Sequence, residues 1–187
     1  MRSQFNYFRP QSLVEALEFL SEQGSRASVL AGGTDLTIGI RKGELKSAYV
    51  MDVSRLDELR TISCIEESLV VGAALTYTEI VNDPLIRENV PVLSLAARQV
   101  GSLQIRNMGT LGGNVANASP AADSVPAMLV HNAWVKIQSV YEDRIEPLEN
   151  VIVGPNTSNL KPGELITGFI LESLPDSRYE FQRIARR

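Results

Sequence analysis

Between Gln104 and Asp123 the chain reads QIRNMGTLGGNVANASPAAD, a run of small residues, amides and hydroxyls with almost no side-chain bulk. A stretch so poor in apolar surface gains little from burial, so it constrains the fold through its backbone. Gly109, Gly112 and Gly113 lack a Cβ, which lets the chain turn sharply and come close to another molecule. Thr110, Asn114, Asn117 and Ser119 add hydrogen-bonding groups that do not fill a core, and Asp123 adds a carboxylate just before an apolar run. The expected use of the segment is to present backbone N–H groups to a ligand. A shorter Gly-rich stretch, AGGTDL from Ala31 to Leu36, lies earlier in the chain. Two such stretches closing on one anionic ligand is the arrangement expected.

The flanking sequence places both stretches. After an aromatic lead-in from Phe5 to Pro10, Ser12 and Glu15 have the spacing of a capping box. Leu13, Ala16, Leu17 and Leu20 continue at helical spacing until Gly24. Ala27 to Leu30 reads as a strand running into AGGTD, Leu36 to Ile40 as a helix closing near Lys42 and Gly43, and Ala48 to Val53 as a buried strand. Ser54 to Leu59 reads as a turn or short helix. This is the pattern of a small α/β lobe, expected over residues 1–57. A larger, antiparallel α+β lobe is expected over 58–187. Its pieces are a strand at Leu69 to Ala73, a helix starting near Thr78-Glu79, a break at Asn82-Asp83-Pro84 and a helix from Val92 to Val100. A helix from Ser124 to Val130 and a strand from Ala133 to Ser139 follow. Asp143 to Glu149 reads as a polar turn, Val151 to Val153 as a short strand, and Leu160 to Leu171 as a turn and a strand. The final FQRIARR leaves a strand pattern half-written, as though the chain were a fragment or ended where a partner takes over.

Composition narrows the function. The 187 residues are 44% hydrophobic and 21% charged, ordinary for a globular chain. With 18 Lys and Arg against 22 Asp and Glu, the net charge of −4 and the lack of a basic run argue against nucleic-acid binding. The N-terminus has no apolar signal region, and no run of apolar residues reaches membrane-spanning length, so a cytoplasmic protein is expected. The single cysteine, Cys64, excludes an internal disulfide, a CxxC metal site and an iron–sulfur cluster held by this chain alone. Cys64 reads as a small buried side chain in a strand, and His131, the one histidine, as a surface residue at a helix end. No Ser/His/Asp or Cys/His set can be assembled, which disfavours a hydrolase. AGGTD is neither a P-loop, because no GK[ST] follows, nor a GxGxxG fingerprint. It can be a plain turn, or a strand-to-helix junction whose N–H groups suit a phosphate. Asp35 would repel a phosphate and is expected to cap the following helix.

Three motifs in order, AGGTDL, QIRNMGTLGGNVANASPAADSVPAML and VGPNTSNLKPGELI, make the chain resemble the FAD-binding (medium) subunit of the molybdenum hydroxylases, the family of xanthine dehydrogenase and aerobic carbon monoxide dehydrogenase. The resemblance covers nearly the whole chain. It implies an α+β, two-lobed FAD-binding fold of the vanillyl-alcohol-oxidase (PCMH) type, with FAD between the lobes. Position by position, Leu30, Ala31, Gly32, Gly33, Thr34, Asp35 and Leu36 would wrap the FAD pyrophosphate. Thr110, Leu111, Gly112, Gly113 and Asn114 would form a second loop on the same group, with Ser119 in the same set. Asp123 would bind ribityl or ribose hydroxyls, Val100 would lie against the cofactor and Ile166 would touch the isoalloxazine. Relatives often place a lysine near the flavin in the terminal segment, where this chain has Gln182 and Arg183.

The resemblance further implies an oxidoreductase in which the electrons come from elsewhere. A molybdopterin-binding large subunit hydroxylates the substrate, and a [2Fe–2S] small subunit relays electrons to FAD, which reduces NAD⁺ or another acceptor. No residue of this chain is then required as a general acid or base, and no metal ligand is expected. Family members continue with a further C-terminal domain, so this chain is expected to stop at its threshold. Two other readings remain: a stand-alone flavin oxidase acting on a small alcohol, and a non-catalytic domain of the same fold.

Overall fold

The computed structural model describes residues 5–175 and 177–184. Its first sheet grows from short apolar segments: β1 (Asn6–Phe8), β2 (Ala27–Leu30) and β3 (Tyr49–Asp52) pair in parallel, in the order β1-β3-β2. Parallel neighbours need crossovers, and α1 (Leu13–Gln23) supplies the first of them. Ala16, Leu17 and Leu20 of α1 pack with Met51, Val53, Leu56 and Leu59 in one core. Ser12 caps α1 by accepting the Glu15 N–H, and Gly24 ends it at φ +52°. The expected capping box is only half made: Glu15 takes the N–H of Gln11 (2.6 Å) rather than that of Ser12. The second crossover carries α2 (Leu36–Lys42), closed by Gly43 at φ +75°. No residue of α2 is buried, although three of its side chains are Leu36, Ile38 and Ile40.

A turn at Asp57–Leu59 leads into the second sheet. The strands β4 (Ile62–Ile65), β5 (Ser68–Gly72), β6 (Trp134–Gln138) and β7 (Asp143–Pro147) precede a small antiparallel pair, β8 (Ile152–Gly154) and β9 (Thr157–Ser158). The last strand, β10 (Leu165–Glu172), inserts at the centre, giving the antiparallel order β4-β5-β10-β6-β7. Leu69, Val71, Val135, Ile137, Phe169 and Leu171 form its buried face. Between β5 and β6 run α3 (Tyr77–Asn82), α4 (Pro84–Asn89), α5 (Pro91–Gln99), α6 (Leu103–Met108), α7 (Leu111–Asn117) and α8 (Ser124–Val130), and α9 (Leu148–Val151) follows β7. Their apolar sides share one core with the sheet. Thr76 and Glu79 make a full capping box at α3, and Asp83 with Pro84 starts a new helix, α4, where the sequence reads only as a break.

Several expectations are corrected. The bulk-poor segment is mostly helical, holding α6 and α7, and Ala118 takes the left-handed position after α7 at φ +47°. Asp143 to Pro147 is an edge strand, not a polar turn, and β4 is a second strand missed in the sequence. Cys64 lies on β4 but is exposed, because that edge strand presents it to solvent. His131 ends α8 yet is only 1% exposed, its Nδ1 donating to the Glu172 carbonyl at 2.9 Å. Among the described residues no helix is long and apolar enough to cross a membrane, and no group of three His, Cys, Asp or Glu could hold a metal ion.

Candidate functional site

A cleft of about 830 Å³ runs between the two sheets, within the ~300–1,000 Å³ of small-molecule and cofactor sites. One wall comes from the end of β2, the following loop, α2 and residues 44–47. The other comes from residues 73–74, 109–119 and 164–166. The two glycine stretches form its floor, and they touch. A Cβ on Gly32 would lie 1.9 Å from the Met108 carbonyl oxygen and 2.9 Å from the Gly109 Cα, so no other residue fits there.

The first stretch leaves its donors free. Thr37 N–H bonds back to Gly33 O (3.0 Å), and Ile38 and Gly39 bond to Asp35 O. The N–H groups of Gly32, Gly33, Thr34 and Asp35 have no intramolecular acceptor among the described residues. Gly33 stands at φ +70°, the left-handed region that tolerates glycine. Asp35 occupies the N-cap position just before α2, but its backbone is already helical and its side chain makes no cap bond, contrary to expectation. Instead Thr34 Oγ1 donates to Asp35 Oδ2 at 3.4 Å.

The loop hangs from a fixed strand end. Asp52, opposite Leu30 in the parallel register, is 5% exposed. It accepts from Tyr7 Oη at 2.5 Å, Arg9 Nη2 at 2.6 Å and the Ser54 N–H at 3.0 Å. Burial alone would push its carboxyl up, but the bonds from Ser54, then Tyr7 and Arg9, outweigh it and hold the pKa at about 2. Val53 N–H closes the junction on Leu30 O at 2.9 Å.

The second stretch behaves differently. Leu111 N–H bonds Leu75 O (3.1 Å), Gly112 N–H bonds Ala73 O (2.8 Å) and Gly113 N–H bonds Thr110 Oγ1 (3.1 Å). These three donors are not presented to a ligand, which corrects the reading of a donor loop. Gly112 is there for close packing, since its Cβ would meet Ala73 Cβ at 2.7 Å. What this wall does offer is a side chain. Ser124 Oγ, fully buried, donates to Asn114 Oδ1 at 2.7 Å and lies 3.3 Å from Tyr77 Oη. With its oxygen so engaged, Asn114 is left with its NH₂ as the free donor. Burial raises the pKa of the Tyr77 hydroxyl, outweighing the Ser124 bond, which works to lower it, and the hydroxyl stays neutral.

The predicted residues divide accordingly. Ala31, Gly32, Gly33, Thr34, Asp35, Leu36, Val100, Thr110, Gly112, Gly113, Asn114, Ser119 and Ile166 all border the cleft. Three predicted residues sit behind it or beside it. Leu30 supports Gly33 from behind, Leu111 is fully buried in the core, and Asp123 pairs with Arg183 Nη1 at 3.0 Å. Burial raises the Asp123 pKa, and the Arg183 cation works against that. Arg183 also bonds the Gln99 carbonyl at 2.8 Å. Tyr77, Ser124 and Glu164 are site residues the sequence reading missed. The capping pattern around Thr110 was the available signal for the first two, because it makes 111–117 a helix and turns Asn114 toward them.

A long cleft with a row of free N–H groups in its floor and apolar walls beyond suits a dinucleotide carrying a ring at each end. The half-exposed Ile38 on α2 fits the same conclusion, being apolar surface that such a ligand would cover. With a parallel three-stranded sheet against an antiparallel five-stranded one, this is an FAD-binding α+β fold of the vanillyl-alcohol-oxidase (PCMH) type. Similarity to known proteins agrees. The nicotinate dehydrogenase FAD-subunit of Eubacterium barkeri is 38% identical over 98% of this chain and 64% of its own length. The glyceraldehyde dehydrogenase medium chain of Sulfolobus acidocaldarius is 32% identical over 98% of this chain and 65% of its own. The crystal structure of quinoline 2-oxidoreductase from Pseudomonas putida 86 superposes with a TM-score of 0.94 at 28% identity, over 100% of this chain and 65% of that one. Over residues 3–172 the chain belongs to the family described as the FAD binding domain in molybdopterin dehydrogenase. It spans 64–65% of the length of the two curated relatives named here, and its cofactor is FAD.

Proposed function

We propose that the chain is the FAD-binding part of an electron-transfer subunit in a molybdenum hydroxylase complex. Electrons arrive from [2Fe–2S] centres on a small partner subunit, originate at a molybdopterin-binding large subunit and leave through FAD to NAD⁺ or another acceptor, in the cytoplasm. The observation that carries this reading is the free-donor floor at Gly32 to Asp35, which lines the cleft between the two sheets. Bound FAD supplies the redox chemistry, and the protein supplies position and electrostatics. In this reading residues 1–57 and 58–187 are two lobes that hold the cofactor between them. The N–H groups of Gly32 to Asp35 take the pyrophosphate, and the Asn114 NH₂ bonds the chain next to it. Leu165 and Ile166 shield one ring from water, and Val29 and Ile38 cover the other.

Anaerobic stopped-flow mixing tests the electron route. The FAD-loaded chain should stay oxidised with ethanol, glycerol or benzyl alcohol and be reduced by a reduced [2Fe–2S] ferredoxin. Bleaching by an alcohol alone would favour a stand-alone oxidase and overturn the electron-transfer role.

A further inference from the structure

Opposite the glycine floor, the cleft wall at Leu160, Leu165 and Ile166 has a brace behind it. Arg144, on the edge strand β7, makes a two-pronged ion pair with Glu164: Nε to Oε1 at 2.9 Å and Nη2 to Oε2 at 2.8 Å. The side chains are 12% and 8% exposed, so this is a shielded pair rather than a surface one. Glu164 Oε2 also accepts the Lys161 N–H at 2.7 Å, which closes the loop on itself ahead of β10. The remaining Arg144 nitrogen pairs with Glu146, and Asn159 Nδ2 ties Glu146 Oε2 (2.8 Å) to the Asn150 carbonyl (2.9 Å). The bonds to Glu164 outweigh the cost of burial and raise the Arg144 pKa, keeping the guanidinium charged. Both oxygens of the Glu164 carboxylate are therefore engaged, and the segment between β9 and β10 has one place to sit.

That segment also reaches the first sheet's side of the molecule. Pro162 and Gly163 lie against the C-terminal end of α1: a Cβ on Gly24 would be 3.9 Å from Pro162 Cβ, and one on Gly163 would be 3.8 Å from the Leu20 carbonyl oxygen. Gly163 adopts φ +93°, a conformation other residues resist. The brace thus sets where the apolar wall stands relative to both sheets.

We infer that Arg144 and Glu164 are positioning residues for the cofactor: the pair holds the 160–166 wall at the separation from the glycine floor that FAD requires. Arg144 acts mainly through Glu164, with a longer bond from Nη2 to Asn159 Oδ1 at 3.3 Å in the same segment, and Glu164 acts mainly through the loop it closes. Buried ion pairs are often poor stabilisers but good at fixing one geometry, and a displacement of about 1 Å at a binding wall can cost about a hundredfold in function. The inference rests on the cleft being the FAD site.

The test titrates the FAD-free chain with FAD, followed by flavin fluorescence and by visible circular dichroism of the bound ring. The variants are Glu164→Gln, Arg144→Lys and Glu146→Gln. Arg144→Lys keeps the charge and loses the two-pronged geometry. Glu146→Gln removes a carboxylate from the same arginine without touching the cleft. The first two should weaken FAD on the order of tenfold and change the visible dichroism, whereas Glu146→Gln should leave both within about twofold. Wild-type affinity in Glu164→Gln and Arg144→Lys would overturn the inference. So would an equal loss in all three variants, which would mark the cluster as general scaffold. Far-ultraviolet dichroism checks folding, and Arg144→Lys carries the test if Glu164→Gln does not fold. A wild-type chain that ignored FAD would instead strike the cofactor reading itself.

Discussion

Two stretches of this chain look alike on paper and do opposite things. AGGTD and GTLGGN each offer a glycine pair and a threonine beside the cleft. In the first, the N–H groups of Gly32 to Asp35 stay free among the described residues, because no carbonyl of the neighbouring segments accepts them, although the Met108 carbonyl packs against Gly32. In the second, the Ala73 and Leu75 carbonyls and the Thr110 hydroxyl take the N–H groups of Gly112, Leu111 and Gly113. One stretch leaves its donors free and the other spends them on bringing a helix close. Glycine alone does not distinguish them. What does is whether a neighbouring segment supplies acceptors.

The contrast can be broken from either side. Gly32→Val should have the largest effect, because even its Cβ would overlap the Met108 carbonyl and drive the two stretches apart. A loss on the order of 3 kcal/mol in thermal or urea unfolding, together with loss of FAD binding, is expected. Wild-type stability would mean that the stretches do not meet as described.

A pH titration addresses the support behind the first loop. Asp52 has a folded pKa of about 2, below the usual carboxylate value. The unfolded chain therefore takes up its proton first as the pH falls. The stabilisation is fully present above pH ~4 and disappears through about pH 2, amounting to roughly 2 kcal/mol. Urea unfolding of wild type and Asp52→Asn across that range should show the wild-type advantage vanish at the acid end. A gap that stayed constant with pH would contradict the assignment.

Thr110→Ala sharpens the second half of the contrast. It removes the cap on the Gly113 N–H, and about 1 kcal/mol of stability should go with it. Because that donor serves the helix rather than the ligand, FAD affinity should fall much less than in a variant of the first loop. Asp123→Ala is expected to do least. Its carboxylate faces Arg183, and FAD affinity measured by fluorescence should change less than about threefold, since a partly exposed ion pair contributes only ~0–1 kcal/mol. A larger loss would return Asp123 to the cofactor's hydroxyls.

Much of the molecule is legible in the amino-acid sequence alone. Ser12, Gly24 and the spacing of Leu13 to Leu20 define α1, and Gly43 marks the end of α2. The α+β class and the cofactor follow from the three motifs. The losses have physical causes. Residues 104–123 read as loop because small residues and amides score poorly as helix, yet Ser102 and Thr110 cap two short helices there. β7 reads as a turn because Asp143, Arg144 and Glu146 are charged, but Asp143 takes the Gln138 amide of β6, and Arg144 pairs with Glu146 on its own strand and with Glu164 just ahead of β10. His131 reads as surface because nothing local predicts that the Glu172 carbonyl will bond it. The Arg144–Glu164 brace depends on how β7 and β10 fall around β6, which no local pattern encodes.

The most direct measurement is the visible absorption spectrum of the purified chain after incubation with FAD and gel filtration, run beside Gly32→Val. Flavin bands that elute with the wild-type protein and are absent from the variant are the expected result. A colourless wild-type fraction, with all the flavin in the small-molecule volume, would contradict a free-donor cleft built for FAD.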